Sequence, residues 1–221
     1  MNTPNLVTLI RHGESSGNVL TPDGRATVNC GLANHAYPLT PLGRRQATWL
    51  RDALARICPE GFDACYVSPY LRTQQTRELA LPDLEPIVDA RISERWRGIW
   101  HTHGPAFVEA NMRWEREAQE SQGWYHNCPS GGQSVVEVES QFASFFTDLC
   151  LRHPGECVAV FTHGTATIAA LRHTQNLTVE EATAWYHGGH VQNCHCFMLE
   201  PGTPPWRLVV TDAVAPPKDL R

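Results

Sequence analysis

Two histidines of this sequence follow short apolar runs and precede a glycine. His12 follows the apolar run 6–10, and His163 follows the apolar run 157–161. Short apolar runs of this kind are typical of buried strands, and ligands of α/β proteins bind outside the carboxyl ends of such strands. The glycine lets the backbone approach a ligand, and the start of the next helix offers N–H groups to an anion. A third run, 64–67, leads within a few residues to Arg72. Two histidines and an arginine therefore follow the ends of three predicted strands.

The elements that must position these side chains alternate along the chain. Strands are predicted over 6–10, 64–67, 87–92, 157–161, 196–199 and 208–211, and helices over 42–57, 70–81, 105–120, 134–152, 164–173 and 179–186. Thr40 is predicted to cap the first helix, with Pro41 at its first position, and residues 16–39 are rich in loop-forming residues. The alternation predicts the α/β class, as a three-layer sandwich with a mostly parallel central sheet flanked by helices.

Bulk composition narrows the class of protein. A length of 221 residues favours one domain spanning 1–221, and the net charge of −5 argues against a broad nucleic-acid surface. The first apolar run is too short for a secretory signal, and no run approaches the roughly 20 residues of a membrane span. We therefore expect a cytoplasmic protein without a membrane partner, in which most of the eight cysteines pack as reduced thiols.

The motifs, taken together and in order, resemble those of the histidine phosphatase superfamily, also called the phosphoglycerate mutase-like family. The resemblance spans roughly residues 5 to 200. Its five segments are Arg11 to Ser15 with Asn18, Leu39 to Gly43, Ser68-Pro69 with Arg72 and Thr76, Glu94 with Gly98 and Trp100, and His163-Gly164. The resemblance implies the phosphatase branch of this family and a chemistry that needs neither a metal nor another cofactor.

By this resemblance His12 is the nucleophile, which accepts the phosphoryl group and passes it to water. An imidazole nitrogen attacks only when it is unprotonated, and neighbouring arginines disfavour a charge on it. Arg11 and Arg72 are expected to bind phosphate oxygens through their guanidinium forks. Asn18 and His163 are expected to donate further hydrogen bonds, with His163 also among the catalytic residues.

Glu94 is the general acid and base that the resemblance implies. The leaving alkoxide needs a proton, and the same carboxylate would then activate water. The alternative is a surface glutamate beside Arg95 and Arg97. One departure lies nearby, because the family usually has an acidic residue directly after the tryptophan, whereas His101 follows Trp100 here.

Residues 95–130 are expected to form the family's variable cap over the pocket. This segment is rich in aromatic residues, and we consider two roles for them: a small core that holds the cap together, or contacts from Trp100 and Tyr125 to an apolar or ring-bearing substrate group. The histidines and cysteines near 187–196 fit no common zinc spacing, so no metal site is predicted.

Three functions are weighed. The first is a phosphatase acting on a small phosphorylated metabolite, and the second is a phosphoglycerate mutase-type transfer, which needs clustered cations for a second anion. Here Arg95, Arg97, Arg113 and Arg116 are interleaved with glutamates, which favours hydrolysis. The third, an inactive binding domain, needs neither nucleophile nor acid. A homodimer is compatible with such an enzyme, and the substrate stays open.

Overall fold

A six-stranded sheet lies at the centre of the computed structural model, which describes residues 3–19, 32–203, 205–209 and 215–220. The strands are β1 (Leu6–Arg11), β2 (Ala64–Val67), β3 (Pro86–Val88), β4 (Cys157–Thr162), β5 (Cys196–Glu200) and β6 (Arg207–Val209). They lie in the order β3-β2-β4-β1-β5-β6. The first four are parallel, and β5 and β6 are antiparallel to their neighbours. The predicted mostly parallel sheet is therefore confirmed.

Eight helices connect the strands within the described residues. They are α1 (Pro41–Ile57), α2 (Leu71–Ala80), α3 (Ile99–His103), α4 (Pro105–Asn111), α5 (Arg113–His126), α6 (Val135–Arg152), α7 (Gly164–Gln175) and α8 (Val179–His187). Their starts follow from local chemistry: the Thr40 side chain accepts a hydrogen bond from the Gly43 amide, and capping boxes begin α6 and α8.

Two apolar cores lie on the two faces of the sheet. Val7 and Leu9 of β1 pack in one core with Phe142 of α6. Ile10 packs in the other core with Leu50 of α1. Successive strand residues point to opposite faces, so the helices cover both sides of the sheet. The three-layer α/β architecture is confirmed.

The strand predicted over 87–92 is wrong beyond Val88. The Asp89 side chain accepts a hydrogen bond from the Arg91 amide, and residues 90–92 form a 3₁₀ turn. This turn places Ile92 in the core with no exposed surface. Ile92, the apolar residue at the end of the run, thus belongs to a turn that packs on the core. The sequence pattern does not distinguish such a residue from a strand residue.

The helix predicted over 105–120 is two helices, and a third precedes them. The backbone leaves the helical region at Met112 (φ −130°), and α5 then continues to His126 with a kink at Gly123. The short α3 was not predicted because Gly98 and Gly104 flank it at positive φ. No helix of the described residues has both the length and the apolar character to span a membrane.

Two other predicted segments include residues that the structure does not describe. The final strand was predicted over 208–211 and is observed over Arg207–Val209, while 210–214 are not described. Of the loop predicted over 16–39, residues 20–31 lie outside the described ranges. In the remainder, Asn34–Ala36 form a 3₁₀ turn.

Candidate active site

His12 lies directly after β1, and both of its ring nitrogens have defined partners. Its Nδ1 is 2.6 Å from the carbonyl oxygen of Gly13, and its Nε2 is 3.0 Å from Nε of Arg72. A carbonyl can only accept and a guanidinium can only donate a hydrogen bond. Nδ1 therefore carries the proton, and Nε2 presents its lone pair.

The charge state of His12 agrees with this tautomer. The ring is 2% exposed. Burial, followed by the charges of Arg72 and Arg11, holds the pKa of His12 well below its usual value. The imidazole is therefore neutral at pH 7, as a nitrogen nucleophile must be.

The glycine after His12 is required by a close backbone contact. A Cβ on Gly13 would lie 2.5 Å from the carbonyl oxygen of Gly43, at the start of α1. The Gly13 amide donates to Oγ1 of Thr76 on α2 at 3.0 Å. The glycines of two separate motifs thus meet, and this contact fixes the turn that carries His12 against both helices.

Arg72, in the first turn of α2, connects His12 to the loop before α1. It is 4% exposed. Its Nη1 donates to the Asn34 carbonyl at 2.7 Å and lies 3.4 Å from Oδ1 of Asn34. Burial lowers the pKa of Arg72 to about 10, opposed by Glu94. The guanidinium is still charged at neutral pH.

His163, directly after β4, completes the group. Its ring centroid is 5.2 Å from that of His12 and 4.9 Å from that of Tyr70. Its Nε2 is 2.8 Å from Oγ of Ser68, the residue that follows β2, and its buried Nδ1 has no partner within the described residues. Burial and then Arg72 lower the pKa of His163 well below its usual value. We call Arg11, His12, Arg72 and His163 the strand-end site.

Arg11 and Glu94 line one cavity. The cavity has a volume of about 230 Å³ and extends over the start of α7 at Gly164 and Thr165. One carboxylate oxygen of Glu94 accepts from the Arg95 amide at 2.9 Å, and the other from the Thr165 amide at 3.4 Å. The Glu94 carboxyl group therefore lies at the N-terminus of α7. Arg11 donates through Nη1 to the Val191 carbonyl.

The Asn18 side chain makes its hydrogen bonds locally, with Ser15. Its Oδ1 accepts from the amide and from Oγ of Ser15, both at 3.0 Å. The remaining predicted residues form one neighbourhood, because Glu94 interacts electrostatically with both Arg11 and Arg72. The phosphate-binding role of Asn18 stays a prediction.

The aromatic residues that line the cavity are not those that the sequence singled out. Tyr125 is 2% exposed, lies in the core and donates from its hydroxyl to Glu139. Trp100 is buried beneath the Arg97 guanidinium. The cavity wall instead contains Trp185 and Tyr186, at the end of α8. The suggestion that Tyr125 faces a substrate is wrong, because its ring packs in the core and its hydroxyl donates to Glu139.

The arginines of the cap segment 95–130 have partners in the cap or directly after it. Arg95 donates to the carbonyls of Gln133 at 2.8 Å, Trp124 at 3.3 Å and Asn127 at 2.7 Å. Arg113 pairs with Glu117, and Arg116 with Glu120, each four residues along α5. The sequence alone did not distinguish the buried Arg95 from its exposed neighbours.

Asn34 and Ser68 are contacts of the site that sequence reasoning passed over as individual residues. Ser68 directly follows β2, so the rule that strand ends meet could have identified it. Asn34 lies in a loop whose composition carries no comparable signal, and only the fold brings it to Arg72.

Comparisons with known proteins agree with this geometry. A sequence model of the Histidine phosphatase superfamily (branch 1) matches residues 7–213. Phosphoserine phosphatase 1 of Hydrogenobacter thermophilus is 32% identical over 161 residues, which are 70% of this chain and 69% of that protein. A phosphoglycerate mutase of Schizosaccharomyces pombe is 27% identical over 190 residues, 80% of this chain and 83% of that protein. The chain belongs to the histidine phosphatase superfamily, branch 1.

Solved structures show the same fold. The alpha-ribazole phosphatase of Shigella flexneri superposes with a TM-score of 0.75 at 20% identity, covering 96% of this chain and all of that one. A mycobacterial glucosyl-3-phosphoglycerate phosphatase superposes with a TM-score of 0.70 at 21% identity, with 96% and 100% covered. The relatives include hydrolases and mutases, so the comparisons define the class of protein and leave its particular reaction to the site.

Proposed function

We propose that this protein is a phosphomonoesterase that hydrolyses a small phosphorylated metabolite through a phosphohistidine on His12. The observation that carries the proposal is the neutral His12 ring, whose Nδ1–H is bound to the Gly13 carbonyl and whose Nε2 lone pair faces Arg72. A nitrogen nucleophile in a fixed tautomer beside an arginine suits attack on a phosphoryl group.

The reaction would proceed in two displacements. Nε2 of His12 attacks phosphorus, and the bond to the leaving oxygen breaks while Glu94 supplies its proton. Water then attacks the phosphohistidine with Glu94 as base, and the bond from phosphorus to Nε2 breaks. Arg11, Arg72 and His163, with Asn18, would bind the charged equatorial oxygens. Glu94 lines a cavity with Arg11 and interacts electrostatically with Arg72, which supports its place beside the phosphate donors.

The cap favours hydrolysis over mutase chemistry. A mutase must hold a second anion, which requires cations that are available near the pocket. Arg95 instead donates to three carbonyls, and Arg97 covers Trp100. The arginines of α5 pair with glutamates of the same helix. The S. pombe relative nevertheless makes phosphoglycerate mutase-type transfer the second candidate.

A phosphate-release screen across small phosphorylated metabolites, with p-nitrophenyl phosphate as a generic substrate, tests the proposal. His12→Ala should lower turnover by at least about 10⁴-fold, the scale seen when an enzyme nucleophile is removed. His103→Ala, at an exposed position of α3, is the matched control and should be fully active. Acid-labile phosphate should label the wild type and not His12→Ala.

Three outcomes would overturn the proposal. Activity that survives in His12→Ala would exclude the phosphohistidine. Isomerisation of a phosphoglycerate in the presence of a bisphosphorylated primer, faster than phosphate release, would establish the mutase. An absence of turnover and of phosphoenzyme across the whole screen would favour the inactive binding domain.

A further inference from the structure

Arg72 presents only one of its edges to the nucleophile. Nε donates to Nε2 of His12, while Nη1, on the opposite side, donates to the Asn34 carbonyl at 2.7 Å. Within the described part of the chain, Nη2 has no hydrogen bond. The Nε and Nη2 donors form the parallel pair of a guanidinium that binds two oxygens of one phosphate. This pair lies on the His12 side, and Asn34 holds the far side.

The orientation of the Asn34 side chain follows from its contacts at both ends. Oδ1 lies 3.4 Å from Nη1 of Arg72, and Nδ2 lies 3.4 Å from Nδ1 of His101. Nδ1 of His101 also accepts from the Arg97 amide at 3.1 Å. Burial, and then the charge of Arg97, lowers the pKa of His101 to about 4, so this nitrogen keeps its lone pair at neutral pH. An amide is the group that suits a donor on one side and an acceptor on the other.

We propose that Asn34 is a positioning residue of the phosphate site: it turns the Arg72 guanidinium so that its Nε–Nη2 edge faces Nε2 of His12, and His101 fixes the Asn34 amide. The proposal rests on the function proposed above and deepens it. It also gives a use to His101, which stands where the family usually has an acidic residue. A carboxylate at that place would add a negative charge near Arg72, whereas a neutral imidazole accepts the same N–H groups without one.

The hydrogen bond from Arg72 to His12 occupies the lone pair that would attack phosphorus. A phosphate oxygen must therefore take over the Nε donor as substrate arrives. Because Nη1 is held by Asn34, the phosphate meets a preoriented pair of donors, which reduces the ordering needed on binding. A loosened Asn34 should weaken phosphate binding without unfolding the protein.

Binding of inorganic phosphate, measured by calorimetry on the whole chain, tests the proposal independently of turnover. Asn34→Asp should raise the phosphate Kd by about tenfold or more, because the nearly isosteric carboxylate pairs with Arg72 and repels the anion. Asn34→Ala should raise it about fivefold, since the carbonyl partner stays but its side-chain link is lost. With a turned-over substrate, KM should rise in parallel.

The His101 variants test the second half of the proposal. His101→Leu should raise the phosphate Kd as much as Asn34→Ala does. The double variant should bind phosphate no more weakly than either single variant, because both substitutions remove the same contact. His101→Gln, whose amide oxygen can accept from Asn34, should restore binding. Asn111→Ala and His103→Leu, at exposed positions of the cap, are the matched controls.

The results separate this inference from the function on which it rests. A folded Asn34→Asp protein that binds phosphate within about twofold of the wild type would overturn the positioning role. If the losses of phosphate affinity in the two single variants multiply in the double variant, the link through His101 is overturned. Neither result depends on whether His12→Ala retains activity, which decides the proposed function.

Discussion

Arg72 in the strand-end site and Arg95 in the cap are buried to the same extent, yet they have different partners. Each is 4% exposed, and burial lowers the pKa of each to about 10. Every guanidinium nitrogen of Arg95 donates to a backbone carbonyl. Arg72 keeps one nitrogen without a partner in the described residues and directs another to the ring of His12. The partners, and neither burial nor charge, distinguish the two arginines.

Within the comparison of these two arginines, the largest effect is expected from the loss of Arg72. Arg72→Gln should lower kcat/KM by about 10³-fold, because donors to the transferring phosphoryl group are lost where water is excluded. The melting temperature should change little. Steady-state kinetics and thermal unfolding check both statements, with the exposed Arg44→Gln of α1 as control. A loss of less than tenfold in kcat/KM would remove the contrast between Arg72 and Arg95.

Arg95→Gln should lower stability and leave phosphate binding unchanged, the opposite of Arg72→Gln. Three carbonyls would lose their donor, and we expect the free energy of unfolding to fall by about 3 kcal/mol. The folded fraction should bind inorganic phosphate as the wild type does. Denaturant unfolding and calorimetry provide the measurements. Arg113→Gln, which removes an exposed i,i+4 pair, should cost less than about 1 kcal/mol. A loss of phosphate affinity in Arg95→Gln would place the cap arginine in the site.

The aromatic residues extend the comparison to the cavity wall. Tyr125→Phe removes the hydroxyl bound to Glu139, which should cost about 1.5 kcal/mol of stability and leave substrate preference unchanged. Tyr186→Ala, at the cavity, should instead change the ratio of kcat/KM between ring-bearing and linear phosphate esters. Equal preference in the wild type and Tyr186→Ala would show that the substrate does not reach this wall.

The smallest predicted effect is a pH dependence of stability that belongs to the strand-end site. The pKa of His12 is lowered in the folded state, so below about pH 6.5 the unfolded chain binds a proton that the folded chain does not. Stability should be complete above pH 6.5 and should fall by about 1.4 kcal/mol per pH unit below it for this histidine.

His12→Gln should reduce that slope by the same amount, as measured by urea unfolding between pH 6.5 and 5. The variant His103→Gln, at an exposed position, should keep the slope of the wild type. An unchanged slope in His12→Gln would show that His12 takes up a proton in the folded state.

The sequence predicted the strand-end site well because its residues follow directly from regular elements. A strand that ends at Arg11 places His12 at the sheet edge, and the second His-Gly pair does the same for His163. Parallel order then brings β1, β2 and β4 side by side. The contact between Gly13 and Gly43 was not predicted, and only the structure shows it.

The cap was predicted less well, and the physical reason is the absence of a strong period. Short helices flanked by glycine, such as α3, bury few residues, so local propensity and tertiary contacts compete there. The helix breaks at Met112, although neither proline nor glycine stands at that position. Aromatic content indicated that the cap needs a core, yet it did not show which rings would form that core.

The sequence by itself determined the α/β class, the order of most elements, and the histidines, the two arginines and the glutamate that meet at the carboxyl ends of the strands. These depend on apolar periodicity and on motifs next to strands. Only the tertiary structure decided how the two buried arginines are used. It gave Arg95 three carbonyls, and it brought Asn34 and His101, from segments far apart in the chain, to the far side of Arg72. Such partners are set by packing between distant segments, which no local pattern encodes.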